Sequence, residues 1–395
     1  MDIFTHARQL MIKNRRFAGL HQYTMPSSGQ YPYQWLWDSC FHTIILSTFD
    51  PEAAKAELRS LFLKQEPNGT IPHLIFWNPV FRRPHFFAWG KKGTSSITQP
   101  PMLAYAVFQI YLKTKDLAFL EEMYPKLLSF YQYLVNERDP QDHHLAGIII
   151  PDESGEDNSP RFDAPLHLSP TAGYYRQTWR RFVLIIQNRN CNFDAALCMS
   201  KNFWVKDVPF NAILVRNLAS LAQIASLLRH KDGEQFATLN AKLTGEAMRE
   251  RLFADGVFWS AMDHDYKPIR VATWAHFAPL FAGLYTKEEA QALVRKHFHN
   301  TETFHAPYGI RTVSKQEPSY NPRGFWRGPV WMATNWIIYK GLVAYGFIEE
   351  AKEVRNTSIA LLEKNGFREY FNPETGKGLG ARDFTWGALI LDMME

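Results

Sequence analysis

Cysteine is scarce in this chain of 395 residues. Cys40, Cys191 and Cys198 are too few and too scattered for a disulfide framework or a zinc site. Long apolar runs are absent too. The first twenty residues are amphipathic and broken by charges, with no apolar core of a secretory leader, and no later run reads as a membrane span. The expectation is a soluble cytoplasmic protein. A strong charge bias is also missing. The formal net charge is +5, and basic residues come as scattered pairs such as Arg15-Arg16, Arg82-Arg83 and Arg180-Arg181. Without a basic arm or run, a nucleic-acid partner has little support. No internal repeat of 20 to 50 residues stands out, which disfavours a solenoid.

Aromatic residues are abundant. The 12 Trp, 17 Tyr and 29 Phe exceed what a core alone requires. A tryptophan is costly to bury unless its N–H finds a partner or its face meets a ligand. Sugars, with flat C–H faces and many hydroxyls, suit aromatic platforms flanked by carboxylates and amides.

Apolar periodicity predicts helices over most of the chain: residues 2–13, about 38–49, 51–65, 98–113, 117–138, 210–230, 234–252, 271–282, 286–298, 329–345, 347–364 and 381–393. Asp38 or Ser39 serves as an N-cap, and Asp50-Pro51 opens the next helix. Short strands are expected only near 145–151 and 256–259. Residues 66–96 form a long connection rich in aromatics, the kind that closes over a site. Paired helices with alternately short and long connections suggest a single all-α domain, residues 1–395, arranged as a closed ring.

Four stretches set aromatics beside carboxylates, amides or arginines: YPYQWLWDS (Tyr31 to Ser39), ESGEDNSPRFD (Glu153 to Asp163), PRGFWRGPVW (Pro322 to Trp331) and FREYFNPETG (Phe367 to Gly376). The second is a loop punctuated by Gly155, Asn158 and Pro160. It lacks the acid spacing of a calcium loop. By composition alone it reads as an ordinary solvated acidic loop. Glycoside hydrolysis needs two carboxyl groups, one to protonate the leaving oxygen and one to activate water or attack. Acids far apart in sequence fit that need only weakly until a further signal joins them.

That signal is a resemblance. QWLWDSCFH, TQPPMLAYA (Thr98 to Ala106), ESGEDNSPRFD, FWRGPVWMATNWIIYKGL and EYFNPETGKGLGARDFTWGALIL occur in the order seen in glycoside hydrolase family 63, and the chain is similar to its bacterial mannosylglycerate and glucosylglycerate hydrolases. The resemblance spans residues 31 to 391. It implies an (α/α)6 barrel and an inverting α-glycosidase acting on a small α-glucoside or α-mannoside, with neither metal nor organic cofactor. It puts the general acid on Asp157 and the general base on Glu369, with Glu153 and Glu156 as alternative acids. It assigns sugar hydroxyls to Asp38 and pocket walls to Tyr31, Trp37, Gln99, Trp326 and Trp331. Arg161 and Arg327 become candidates to orient the carboxylates or meet an anionic aglycone, with Asp163 expected to partner Arg161. Asn158, Gln34 and Trp386 are weaker members of the set. Plainer roles stand beside these: an Asx-turn for Asp157, a surface ion pair with Arg368 or Lys364 for Glu369, an N-cap for Asp38, a helix start for Gln99, core packing for the tryptophans. The chain departs from its relatives at Val80 to Gly90, with Arg82, Arg83 and His85, and matches less clearly over Arg176 to Asp207. The rival readings are a trehalase-like or oligosaccharide α-glucosidase and a non-catalytic sugar-binding protein.

Overall fold

A computed structural model describes residues 2–77 and 87–394. Arg82, Arg83 and His85, the basic part of the 66–96 connection, lie outside the described residues.

Helices dominate, and they come in pairs of unequal burial. Leu36–Ser47 is buried along its whole length. It packs on Leu103–Thr114, which packs on Val208–Leu227, which packs on the short helix Ala278–Phe281. That helix packs on Met332–Ala344, which meets the 3-10 turn Thr385–Leu389, and that turn returns to Leu36–Ser47. More exposed helices stand behind them. Pro51–Phe62, Leu117–Glu137, Lys231–Leu252 and Ile348–Asn365 back the first, second, third and fifth, and Ile3–Asn14 backs the last turn. The inner helices are apolar on nearly all sides, as a helix enclosed by neighbours must be. Val208–Leu227 is, against the sequence expectation, long and apolar enough to cross a membrane, yet 67% of its apolar stretch is buried inside the fold.

Aspartates open many of these helices. Asp2, Asp50, Asp116, Asp194 and Asp207 each accept a backbone N–H of the first turn, which satisfies donors that a helix start leaves free. Asp38 does not. Residues Gln34–Trp35 pair with Leu74–Ile75 in a short antiparallel ladder, and the Leu36 amide bonds to His73. The helix therefore starts at Leu36, and Asp38 falls inside its first turn. Other boundaries shift for similar reasons. The helix expected from 98 begins at Leu103, after the extended Thr98 to Pro101. Residues 271–282 yield only the short turns Trp274–His276 and Ala278–Phe281. Lys287–Leu293 loosens into a π-turn, Val294–Phe298. The C-terminal helix is replaced by strand Gly378–Arg382, the turn Thr385–Leu389 and a last short helix, Ile390–Met393. Near 145–151 there is one isolated bridge, Ile148 to Val205, whereas Val257–Phe258 is a strand as expected.

Two irregular pieces converge over one end of the inner helices. The acidic loop is a 3-10 turn, Pro151–Ser154, then Gly155 in the left-handed region, then a second turn, Pro160–Phe162. Glu153, fully buried, holds it down. Its carboxylate accepts the amides of Thr98 and Ile149 and pairs with Arg138. The other piece is the hairpin Arg368–Phe371 with Gly378–Arg382, whose register slips between Arg368 and Tyr370. Glu369 sits in that slip, the kind of bulge that re-aims a side chain.

Breaking a buried ion pair on one side leaves a stranded charge, which costs about 3–5 kcal/mol. Arg138→Met is therefore expected to lower unfolding stability in urea by about 3–5 kcal/mol. Removing Arg59 from its exposed pair with Glu122 should cost no more than about 1 kcal/mol.

Candidate active site

The acidic loop, the 368–382 hairpin, the start of Leu36–Ser47 and the segment before Met332–Ala344 enclose a cavity of about 220 Å³. Asp157 and Glu369 both line it.

Glu369 is almost fully buried. Its carboxylate accepts the Tyr31 hydroxyl at 2.5 Å and the Ala381 amide at 2.7 Å. Burial raises its pKa, and these two donors oppose the rise. Neither Arg368 nor Lys364 pairs with it; Arg368 reaches the Gly380 carbonyl and Lys364 reaches Tyr308. Gly380 has a φ of +65°, and a Cβ there would come within 2.3 Å of the Glu369 Oε2. Glycine is required on both counts.

Asp157 keeps different company. Arg181 donates to it at 2.5 Å and holds Asp152 with its other nitrogens at 2.5 and 2.9 Å. Burial raises the Asp157 pKa, Arg181 opposes that, and the Asp152 charge adds to it. The guanidinium is shared between two carboxyl groups, so it can offset at most one of their charges. Arg181 comes from the helix Tyr174–Asn190.

Asp38 lies deeper. It accepts the Trp386 indole N–H at 2.8 Å, and burial pushes its pKa up to about 6, against the pull of His42 and of that N–H. Trp326 and Trp331 are stacked at 3.9 Å and nearly parallel, and Tyr370 continues the stack at 5.0 Å from Trp331. Trp37 stands edge-on to Trp386. Gly155 lies so close to the Trp37 ring that a Cβ would meet it at 2.4 Å. The Gln99 side-chain oxygen accepts the Trp37 amide. The result is an aromatic box with carboxylates on its walls, suited to a polyhydroxylated ring.

Tyr31, Trp37, Asp38, Gln99, Trp326, Trp331 and Trp386 line this cavity along with the two acids. Asn158 and Arg327 line an adjoining hollow of about 770 Å³ that shares Tyr31, Phe325 and Glu369 with it. Asn158 accepts the Trp326 amide. Gln34 and Arg161 line neither. Gln34 is fully buried, donating to Ser39 and Ser60 and accepting from Trp77. Arg161 does not meet Asp163. It pairs with Glu156 and Asp207 beneath the loop, while Asp163 takes Arg327 at 2.5 Å and Gln177 at 2.7 Å. Glu153 and Glu156 each pair with a buried arginine and line neither hollow. The sequence reading missed Arg181, Asp152, His73, Trp35 and Phe384 as lining residues. His73 bonds Ser95 at 2.6 Å, and burial lowers its pKa to about 4. Among the described residues, the groups able to hold a metal lie outside the cavity.

Residues 31–387 match the family described as the mannosylglycerate hydrolase MGH1-like glycoside hydrolase domain. The chain belongs to this family. It is 34% identical to a mannosylglycerate hydrolase of Thermus thermophilus, over 97% of this chain and 98% of that protein. A glucosylglycerate hydrolase of Mycolicibacterium hassiacum is 28% identical over 92% of each. A crystal structure of the family 63 mannosylglycerate hydrolase from Thermus thermophilus in complex with Tris superposes with a TM-score of 0.92 and 33% identity, covering all of both chains. The protein is thus a glycoside hydrolase, and the cavity is its candidate active site.

In this glycoside hydrolase the Tyr31 hydroxyl stabilises the ionised form of Glu369. Tyr31→Phe removes that bond, so the Glu369 pKa rises further. A group that must be ionised loses function as pH falls through its pKa. If Glu369 acts in its ionised form, the acidic limb of the kcat/KM profile should then move to higher pH in Tyr31→Phe; an unmoved limb would exclude that role.

Proposed function

We propose that this enzyme hydrolyses the α-glycosidic bond of a small glycosyl-glycerate, mannosyl or glucosyl, with inversion of configuration. In this reading Asp157 is the general acid and Glu369 the general base. The inner and outer helix pairs close into an (α/α)6 toroid spanning the chain. The observation that carries the reading is the presence of both carboxyl groups on the wall of one aromatic cavity, each with its own set of partners.

Asp157 must hold a proton until the glycosidic oxygen leaves. Burial and the neighbouring Asp152 favour the protonated form, and the sharing of Arg181 limits how strongly the guanidinium opposes it. Glu369 must be ionised to draw a proton from water, and the Tyr31 and Ala381 donors favour that charge. Asp38 and the indole N–H it binds are positioned to grip sugar hydroxyls, and the Trp326–Trp331 stack offers a flat apolar wall. A cavity of about 220 Å³ favours one sugar ring over a polymer. Arg323 on the adjoining hollow pairs with no carboxylate among the described residues, which supports an aglycone carrying a carboxylate. The names of the relatives point the same way. Inversion needs room for a water molecule, with the two carboxyl groups roughly 6.5–9.5 Å apart.

Asp157→Asn and Glu369→Gln should each stay folded, bind substrate, and turn over at least about a hundredfold more slowly on an unactivated glycosyl-glycerate. The first sugar formed from the α-glycoside should be the β-anomer by NMR. A first-formed α-anomer would mean retention, and near-normal turnover by either variant would remove that residue from its role. Equal activity on a neutral disaccharide would favour the trehalase-like alternative.

A further inference from the structure

Away from the cavity, three segments bring two histidines and Glu353 together, with Glu350 beside one of the histidines. His299 caps the π-turn Val294–Phe298, His305 opens the small hairpin His305–Ala306 with Gly309–Ile310, and Glu350 and Glu353 lie one turn apart on the helix Ile348–Asn365. Ligand atoms of His299, His305 and Glu353 all lie within 4.8 Å of one another. The His299 Nε2 is 3.1 Å from Glu350, and the His305 Nε2 is 3.5 Å from Glu353.

We propose that His299, His305 and Glu353, with Glu350 beside His299 as the fourth donor, form a structural site for a divalent transition metal, zinc by donor chemistry. Four ligands about 2.0–2.1 Å from a tetrahedral zinc stand about 3.3 Å from each other. The two nitrogen–oxygen separations, 3.1 and 3.5 Å, bracket that edge. Two imidazoles and two carboxylates suit zinc or its neighbours in the first transition row and suit calcium or magnesium poorly. Charge points the same way. Neither Glu350 nor Glu353 pairs with a lysine or arginine among the described residues, so with neutral imidazoles the four side chains carry two negative charges. A divalent cation cancels them. The Nδ1 of His305 is buried without a partner, so Nε2 is the nitrogen directed at the cluster.

The site would fasten the 299–310 segment to the helix that leads into Glu369. Within that segment Tyr308 donates its amide to the Pro373 carbonyl, and its ring packs on Gly376. Lys364, near the end of the same helix, reaches the Tyr308 hydroxyl and the Thr375 carbonyl. Pro373 to Gly376 is the turn of the hairpin that carries Glu369 and the Ala381 amide. Nothing in the sequence signalled this, because the two histidines stand far from the two glutamates along the chain.

The test strips the full-length protein with a chelator, removes the chelator, and titrates in zinc or cobalt(II). One equivalent of zinc should bind by calorimetry and raise Tm by a few degrees at saturating metal. Cobalt(II) should develop the intense visible absorption of a tetrahedral site. His299→Gln with His305→Gln, and separately Glu350→Gln with Glu353→Gln, should abolish all three signals while leaving the circular dichroism spectrum unchanged. The proposal falls if the wild-type protein gives no saturable zinc binding or no tetrahedral cobalt spectrum. It also falls if the paired variants keep them, which would place the metal elsewhere, such as at Asp139, Asp142 and His144. Should one paired variant fail to fold, the other and the wild-type spectrum still decide. None of these readouts depends on the glycosidase activity.

Discussion

An acidic loop can be buried only if its charges are matched, and here four arginines from four parts of the chain match them. Arg138, just past the helix Leu117–Glu137, takes Glu153. Arg161, within the loop, takes Glu156 and reaches Asp207 under it. Arg327, from the segment before Met332–Ala344, takes Asp163. Arg181, from Tyr174–Asn190, takes Asp152 and Asp157 together. Desolvating such groups is expensive, and pairs of this kind fix geometry more than they add stability. Their effect here is to hold Asp157 over the cavity on a floor that cannot relax. The price of this arrangement is that removing any one arginine strands a carboxylate.

That matching is unequal. Glu153, Glu156 and Asp163 are each engaged by a buried guanidinium below or beside the cavity. Asp157 has only part of one, and it alone of the four faces the cavity. Glu369 makes no ion pair among the described residues; a phenol and an amide hold it instead. Burial raises the pKa of both carboxyl groups, and different partners oppose the rise: a shared guanidinium at Asp157, a phenol and an amide at Glu369.

Much of this was readable along the chain. The long helices with a clean apolar stripe, such as Leu117–Glu137 and Lys231–Leu252, begin and end close to where periodicity put them, because burial of one face is a local signal. The aromatic stretches around Trp37, Trp326 and Trp331 likewise announced a site. What could not be read was partnership. Helix Tyr174–Asn190 lies in a stretch where the sequence indicates only some helix without bounds, because its aromatic positions Tyr175 and Trp179 face solvent, and its Arg181 gains meaning only across the fold. Arg161 and Asp163 are near in sequence yet pair with other residues, Arg161 with Glu156 and Asp207 and Asp163 with Arg327. Gln34 sits inside a matching motif but turns inward to Ser39 and Ser60. Asp38 looked like a cap because the ladder that moves the helix start to Leu36 is formed with Leu74–Ile75, far along the chain.

In the proposed mechanism the proton on Asp157 is balanced between burial and a guanidinium shared with Asp152. The most direct measurement is the pH dependence of kcat/KM for Arg181→Met beside the wild-type enzyme. Removing the cation removes the one strong influence that lowers the Asp157 pKa, so that pKa rises. An acid that must be protonated loses function as pH climbs through its pKa, and the alkaline limb should move to higher pH, whatever happens to the absolute rate. An alkaline limb that stays in place, or moves to lower pH, would contradict the account.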